Sequence, residues 1–114
     1  FRELLPFAEA MLHGAAPAGV FASRTRCRIA EAIGAINRAE PSLLAMLETL
    51  LDWPYWQVRM KAAEAFSKIR RNIPETAIER LLTLRFDPEP RAVRQAADRA
   101  LAEIISLENR RERN

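Results

Sequence analysis

The stretch DPEPRAVRQAADRALAEI, residues 87–104, decides the fold because a variant of it occurs earlier in the chain. Residues 52–69 read DWPYWQVRMKAAEAFSKI, so Asp52 stands 35 positions before its equivalent, Asp87. The small and apolar positions recur at the same offset. We therefore interpret the two stretches as copies of one structural unit. The matched positions are Val58 with Val93, Ala62 with Ala97, Ala65 with Ala100, Phe66 with Leu101 and Ile69 with Ile104.

The repeated unit contains two helices, because the residues before each stretch also match at the offset of 35. Leu43 corresponds to Ile78 and Met46 to Leu81, and the apolar residues follow the i, i+3, i+4, i+7 spacing of a helix. An earlier copy fits at an offset of 33, where Arg26 corresponds to Arg59. A two-helix repeat of this length is the signature of an α-solenoid, in which stacking buries the apolar stripe of each hairpin. The sequence predicts an all-α solenoid of three hairpins, about six helices, in a right-handed superhelix.

Helix start and stop signals give approximate boundaries. Ser23 and Asn72 are candidate N-caps, and Pro41 suits the first position of a helix. The repeats cover about 1–38, 39–71 and 72–108, and the polar run NRRERN is expected to form a charged C-terminal tail at 109–114. The predicted helices are Leu4–Leu12, Ser23–Asn37, Pro41–Leu51, Tyr55–Arg71, Pro74–Phe86 and Pro88–Glu108.

Composition restricts the class of protein. The chain has 114 residues, 49% of them hydrophobic, which suits one domain with a real core. A single cysteine, Cys27, excludes an intramolecular disulfide and favours a reducing cytoplasm. No apolar run approaches the roughly 18 residues of a membrane span. Because the chain begins at Phe1 without a methionine, we expect a fragment of a larger, bacterial polypeptide.

Residues 81–104, LLTLRFDPEPRAVRQAADRALAEI, resemble a HEAT repeat of the short variety found in phycobilisome-lyase-like and other prokaryotic HEAT proteins. The shared pattern is a leucine-rich helix, Asp-Pro in the turn, Val-Arg, two alanines and Ala-Leu-x-x-Ile. Residues 43–69 match with the turn changed to DWPYWQVR, and residues 21–36 match in their second half only, with Thr25 in place of valine. The resemblance covers nearly the whole chain and implies the fold far more specifically than the function.

The resemblance also implies a structural role for one set of charged residues. In HEAT stacks the turn aspartate and the arginine of Val-Arg form a ladder that links adjacent repeats. His13 stands near the aspartate's position in the first repeat, so no rung is assigned there. The expected ladder consists of Asp52 and Asp87 with Arg26, Arg59 and Arg94.

Net charge is +3, from 18 basic and 15 acidic residues, so the surface is mixed rather than polycationic. The second helices of a HEAT stack line its concave face, where acidic residues such as Glu31, Glu64 and Asp98 interrupt the basic ones. This mixture favours a protein partner over nucleic acid, which would need a more continuous basic surface. The partner-binding candidates are Trp53, Tyr55, Arg28, Lys61, Lys68, Arg91 and Arg99.

The aromatic turn divides into two classes when the repeats are aligned. Trp53, Tyr55 and Trp56 face Pro88, Pro90 and Arg91, so the repeat itself does not require them. We expect Trp56 to pack against a neighbouring turn. Trp53 and Tyr55 either cover the edge of the hairpin or serve as aromatic anchors for a partner.

The sequence contains no constellation that indicates catalysis. His13 has no second histidine with which to bind a metal. Cys27 lies between Arg26 and Arg28, which could lower its pKa and make it reactive, although packing is the simpler role. We therefore predict a non-enzymatic protein-interaction or scaffold module that carries no cofactor or metal. Nucleic-acid binding through the arginines of the second helices is the alternative, and a component of a lyase-type enzyme is the third interpretation.

Overall fold

The computed structural model describes residues 20–86 and 88–113, and those residues form α-helices joined by short turns without any strand. The predicted helix Leu4–Leu12, together with His13 and Asp87, lies outside them. The described helices are α1 (Val20–Ile36), α2 (Pro41–Leu50), α3 (Trp56–Ile69), α4 (Glu75–Thr83) and α5 (Arg91–Arg113).

The helices form two layers. In one layer α3 lies between α1 and α5 and packs against both. In the other layer α2 packs against α1 and α3, and α4 packs against α5. Hairpins stacked in this way are the arrangement of an α-solenoid, so the predicted fold class is confirmed. The handedness of the superhelix stays a prediction.

The core consists of the positions that the repeat predicts. Val58 and Val93 are fully buried, as are Ala62 and Ala97. Burial at equivalent positions follows from the helical period, which places them on the face that meets the neighbouring hairpin. Phe66, on α3, is the largest of the fully buried side chains among the described residues.

A close approach of α1 and α3 depends on small residues. A Cβ atom added at Gly34 would lie 3.2 Å from the Cα atom of Ala65 and 3.3 Å from its Cβ atom. Glycine and alanine therefore face each other where these two helices come nearest.

Some predicted helix ends are confirmed and others are wrong. Pro41 begins α2, as predicted. Ser23 lies inside α1 and is buried, so it does not cap the helix, which begins earlier at Val20. Asn72 does not cap α4 either, because the N-cap position falls on Pro74.

The C-terminal run differs from the tail that we expected. α5 continues through Arg113, so the segment at 109–113 is helical. NRRERN lacks the apolar periodicity of a packed helix, but arginine and glutamate are good helix formers and can extend a helix that is already nucleated.

The third repeat is less buried than its sequence match to the second implies. Leu47 and Leu51 are almost fully buried, whereas their equivalents Leu82 and Phe86 are 42% and 64% exposed. Among the described helices, α2 packs against two and α4 mainly against one, α5, so these helices cover less of α4 than of α2.

Candidate functional site: a groove across the second helices

The second helix of each repeat, namely α1, α3 and α5, contributes to an open groove of about 870 Å³. The sequence predicts this concave face, together with the inter-helix turns, as the binding surface, since successive second helices line one side of a HEAT stack. Its lining residues are Gly34, Ala35, Asn37, Met60, Glu64, Ser67, Lys68, Arg70, Ala92, Gln95, Ala96, Arg99 and Glu103.

Small residues line both outer helices of the groove. Gly34 and Ala35 come from α1, and Ala92 and Ala96 come from α5. The short side chains of Ala35 and Ala92 leave the groove open, whereas Gly34 packs against Ala65 of α3. Met60 adds an adaptable apolar contact on α3.

Ion pairs engage the carboxylates of the groove. Arg70 ends α3 in a left-handed backbone conformation (φ 46°), and its Nη1 atom lies 2.8 Å from Oε2 of Glu103 on α5. Glu64 lies 3.6 Å from the ammonium of Lys61. Over the described residues, Lys68 and Arg99 remain without an ion-pair partner. The groove thus offers two cations to a ligand.

Lys61, one of the predicted binding residues, is engaged within the fold. Its ammonium lies 3.2 Å from Oε1 of Glu31 on α1. A hydrogen bond to Glu31 is the main reason that the pKa of Lys61 is raised. Lys61 joins the first and second repeats and is less available to a partner than Lys68.

Arg28 and Arg91 are exposed, as expected for binding candidates, but neither lines the groove. In the part of the chain that the structure describes, no carboxylate pairs with either residue. The structure therefore separates the predicted cations into a groove pair, Lys68 and Arg99, and a peripheral pair, Arg28 and Arg91.

Arg59 fixes the aromatic turn. Its Nη1 atom donates hydrogen bonds to the carbonyl oxygens of Trp53 at 2.6 Å and of Pro54 at 2.9 Å. Its Nε and Nη2 atoms both donate to Oε2 of Glu89, at 3.1 and 2.8 Å. One guanidinium therefore connects the turn before α3 to the turn before α5, a geometry that suits its planar fork of donors.

The aromatic residues of this turn have separate roles. Trp53 is half-buried, and the guanidinium carbon of Arg26 lies 4.0 Å from its ring centroid, a cation–π contact. Tyr55 is 37% exposed and is a surface residue. Trp56 is also 37% exposed, and its packing against a neighbouring turn stays a prediction.

Two described members of the expected ladder, Asp52 and Arg59, form ion pairs with residues outside it. Asp52 pairs with Arg80 of α4 at 2.7 Å, and Arg59 pairs with Glu89 rather than with a turn aspartate. Arg26 is buried, burial lowers its pKa, and it packs over Trp53. Arg94 is half-buried on α5. Since Asp87 lies outside the described residues, the complete ladder stays a prediction.

Cys27 does not have the lowered pKa that its arginine neighbours suggested. Burial raises the pKa of the thiol, and the nearby Glu31 carboxylate raises it further. The flanking guanidinium of Arg26 packs over Trp53 instead. Its environment therefore favours an unreactive thiol that is packed against the core.

Groups that could hold a metal are absent from residues 20–86 and 88–113, where no three His, Cys, Asp or Glu side chains cluster. The helices in those ranges also include none that is long and apolar enough to cross a lipid bilayer.

Sequence reasoning missed several residues that shape this site. Glu89 and Arg80 carry no periodic signal, because their ion pairs depend on how the turns fold. Gln95 on α5 lines the groove beside Arg99. It lies four residues before Arg99, so helical spacing alone could have placed the two side chains on the same face of the helix.

Comparison with known families agrees with this geometry. The sequence model of the HEAT repeats family matches residues 21–102, which are most of the chain. No curated protein and no solved structure gives a significant match. The repeat match does not separate the lyase-like variety from other HEAT proteins. HEAT repeats generally mediate protein–protein interactions and are typically non-enzymatic. With its stacked hairpins and its repeat match, the chain belongs to the HEAT-repeat family.

Proposed function

We propose that this chain is a non-enzymatic protein–protein interaction module, with a scaffold role, that binds its partner along the groove of α1, α3 and α5. The observation that carries the proposal is the open groove of about 870 Å³ at the junction of three repeats. A surface built from several repeats can bind a partner over a length that no single hairpin offers. Tyr55 and Trp56, exposed at the start of α3, are further candidates for aromatic contacts with a partner.

Charge supports a protein partner over nucleic acid. Glu64 and Glu103 line the same groove as Lys68 and Arg99. Binding of a phosphate backbone depends on several neutralised phosphates, whereas the groove offers two cations that have no ion-pair partner among the described residues. A folded partner or peptide can instead match a mixed surface.

The single cysteine is compatible with a protein that functions in a reducing compartment, and we propose the cytoplasm as its location.

Site-specific photocrosslinking in the native cell tests the function. A photoreactive amino acid replaces Gln95, which is exposed on the groove, and in a second protein it replaces Glu79, which is exposed on α4 outside the groove. We expect a protein adduct at position 95 that excess unlabelled chain competes away, and none at position 79. An equal yield of adducts at both positions, or none at position 95, would contradict the proposal.

The same experiment discriminates against the alternative. Adducts at position 95 are digested separately with protease and nuclease. A nuclease-sensitive adduct, together with DNA or RNA binding that weakens steeply as salt rises, would assign the groove to nucleic acid instead.

A further inference from the structure

Among the described residues, the charges in the groove are not balanced. Glu103 pairs with Arg70 and Glu64 pairs with Lys61. Lys68 of α3 and Arg99 of α5 also line the groove, are exposed and have no carboxylate partner within the described ranges. An occupant of the groove therefore meets two available cations, while both groove carboxylates are already engaged.

The geometry points to an acidic peptide segment of the partner protein as the occupant of this groove, and we propose that Lys68 and Arg99 bind its carboxylates. This inference rests on the proposed function and specifies the chemistry of the partner. The guanidinium of Arg99 can donate two parallel hydrogen bonds to one carboxylate, and Lys68 offers a compact charge to another.

The uncharged part of the groove suits a peptide chain. Ala35, exposed on α1, and Ala92, half-buried on α5, leave room for a backbone to approach the helices closely. Met60 provides an apolar contact that adapts to different side chains. An acidic segment with interspersed apolar residues would match both the cations and this surface.

Selection from a displayed library of random peptides, with the whole chain as bait, tests the proposal. We expect the unmodified chain to enrich peptides that are rich in Asp and Glu. A double variant, Lys68→Glu with Arg99→Glu, reverses the charge of the pair and should enrich basic peptides instead. The matched control, Arg28→Glu with Arg91→Glu, reverses two exposed cations outside the groove and should still select acidic peptides.

Affinity measurement makes the test quantitative. Fluorescence anisotropy is recorded with the most enriched acidic peptide and with the same peptide carrying Gln and Asn in place of Glu and Asp. Lys68→Gln with Arg99→Gln should weaken binding of the acidic peptide by about tenfold or more, the effect of losing roughly 1.4 kcal/mol. Arg28→Gln with Arg91→Gln should change it less than about twofold, and circular dichroism verifies that each variant is folded.

Three results would overturn the proposal: no selected peptide, selected peptides without acidic enrichment, or equal weakening by the groove and peripheral variants. Its failure is distinguishable from failure of the proposed function. A protein adduct at position 95 whose crosslinked segment is neutral or basic preserves the interaction function and rejects the acidic occupant. The absence of any adduct there rejects both.

Discussion

Arg59 contributes to the fold through its position between two turns. Its side chain is only 16% exposed, and its donors are shared between two backbone carbonyl oxygens and the Glu89 carboxylate. Carbonyl groups in a turn have no helix partners, so a side chain that satisfies them stabilises the turn directly. The residue therefore does more than an exposed surface ion pair would.

We expect Arg59→Ala to lower the free energy of unfolding by about 2–3 kcal/mol, the size expected for hydrogen bonds that involve a charged group. Arg59→Lys should recover only part of this loss, because an ammonium cannot reproduce the planar fork. Chemical denaturation followed by circular dichroism measures both. Arg85→Ala, which removes an exposed pair with Asp98, is the control and should cost less than about 1 kcal/mol. Equal losses at positions 59 and 85 would contradict the special role of Arg59.

Cys27 provides a prediction about pH. Because burial raises its pKa, the thiol stays protonated to a higher pH in the folded chain than in the unfolded chain. The stabilisation from the neutral thiol is present below the unfolded pKa and is lost as pH rises through the folded pKa. We expect the pH midpoint of iodoacetamide alkylation to lie above that of the same chain in denaturant. A midpoint below the denatured value would restore the reactive-cysteine hypothesis.

At the scale of elements, the close contact between α1 and α3 depends on a glycine, Gly34, which has no side chain. Gly34 allows the helices to approach until its absent Cβ would touch the backbone of Ala65. Gly34→Ala would have two opposing effects on stability. Alanine has the higher helix propensity, but its methyl group would press against Ala65. A larger side chain has no such compensation.

We expect Gly34→Leu to separate α1 from α3 and to cost about 1–3 kcal/mol, as overpacking of a filled interior does. Ala35→Leu is the matched control, because Ala35 follows Gly34 on the same helix and is exposed. That variant should change stability by less than about 0.5 kcal/mol. Thermal denaturation measures both, and a Gly34→Leu protein as stable as the Ala35→Leu protein would show that the two helices can separate freely.

The sequence was most informative where a repeat position determines burial. Val58, Val93 and their alanine neighbours are buried because the helical period and the stacking of hairpins leave no other face for them. The partners of Arg59 and Asp52 could not be predicted in this way. They depend on the path of the turns, and those turns differ in sequence between the repeats.

At the scale of the whole molecule, equivalent positions of a repeat array differ in burial when their helices have different neighbours. Leu82 and Phe86 match buried residues of the second repeat, yet they are exposed because α4 has less helix packed over it. The groove likewise depends on the assembly, since its lining comes from three helices and no single hairpin contains it. Candidate binding residues could be predicted from the sequence, but their division into groove and peripheral cations required the folded arrangement.

The position of α3 between α1 and α5 predicts which part of the array unfolds when a core residue is truncated. Phe66 on α3 and Leu101 on α5 are equivalent in the repeat, and both are buried. Truncating either to alanine removes similar core contacts, at about 3–5 kcal/mol for phenylalanine and about 2–5 kcal/mol for leucine. In a nearest-neighbour stack, however, stability depends on contacts between adjacent units. Among the described second helices, α3 contacts both α1 and α5, whereas α5 packs mainly against α3.

Hydrogen exchange should therefore distinguish the two variants. We expect Phe66→Ala to lower amide protection in α1, α3 and α5 together, because α3 packs against both of the other helices and loses core contacts. Leu101→Ala should lower protection most in α4 and α5 and least in α1, which does not pack closely on that end. Equal loss of protection in all helices for both variants would mean that the chain unfolds as one indivisible unit, in which case the stack would not behave as a sum of neighbouring repeats.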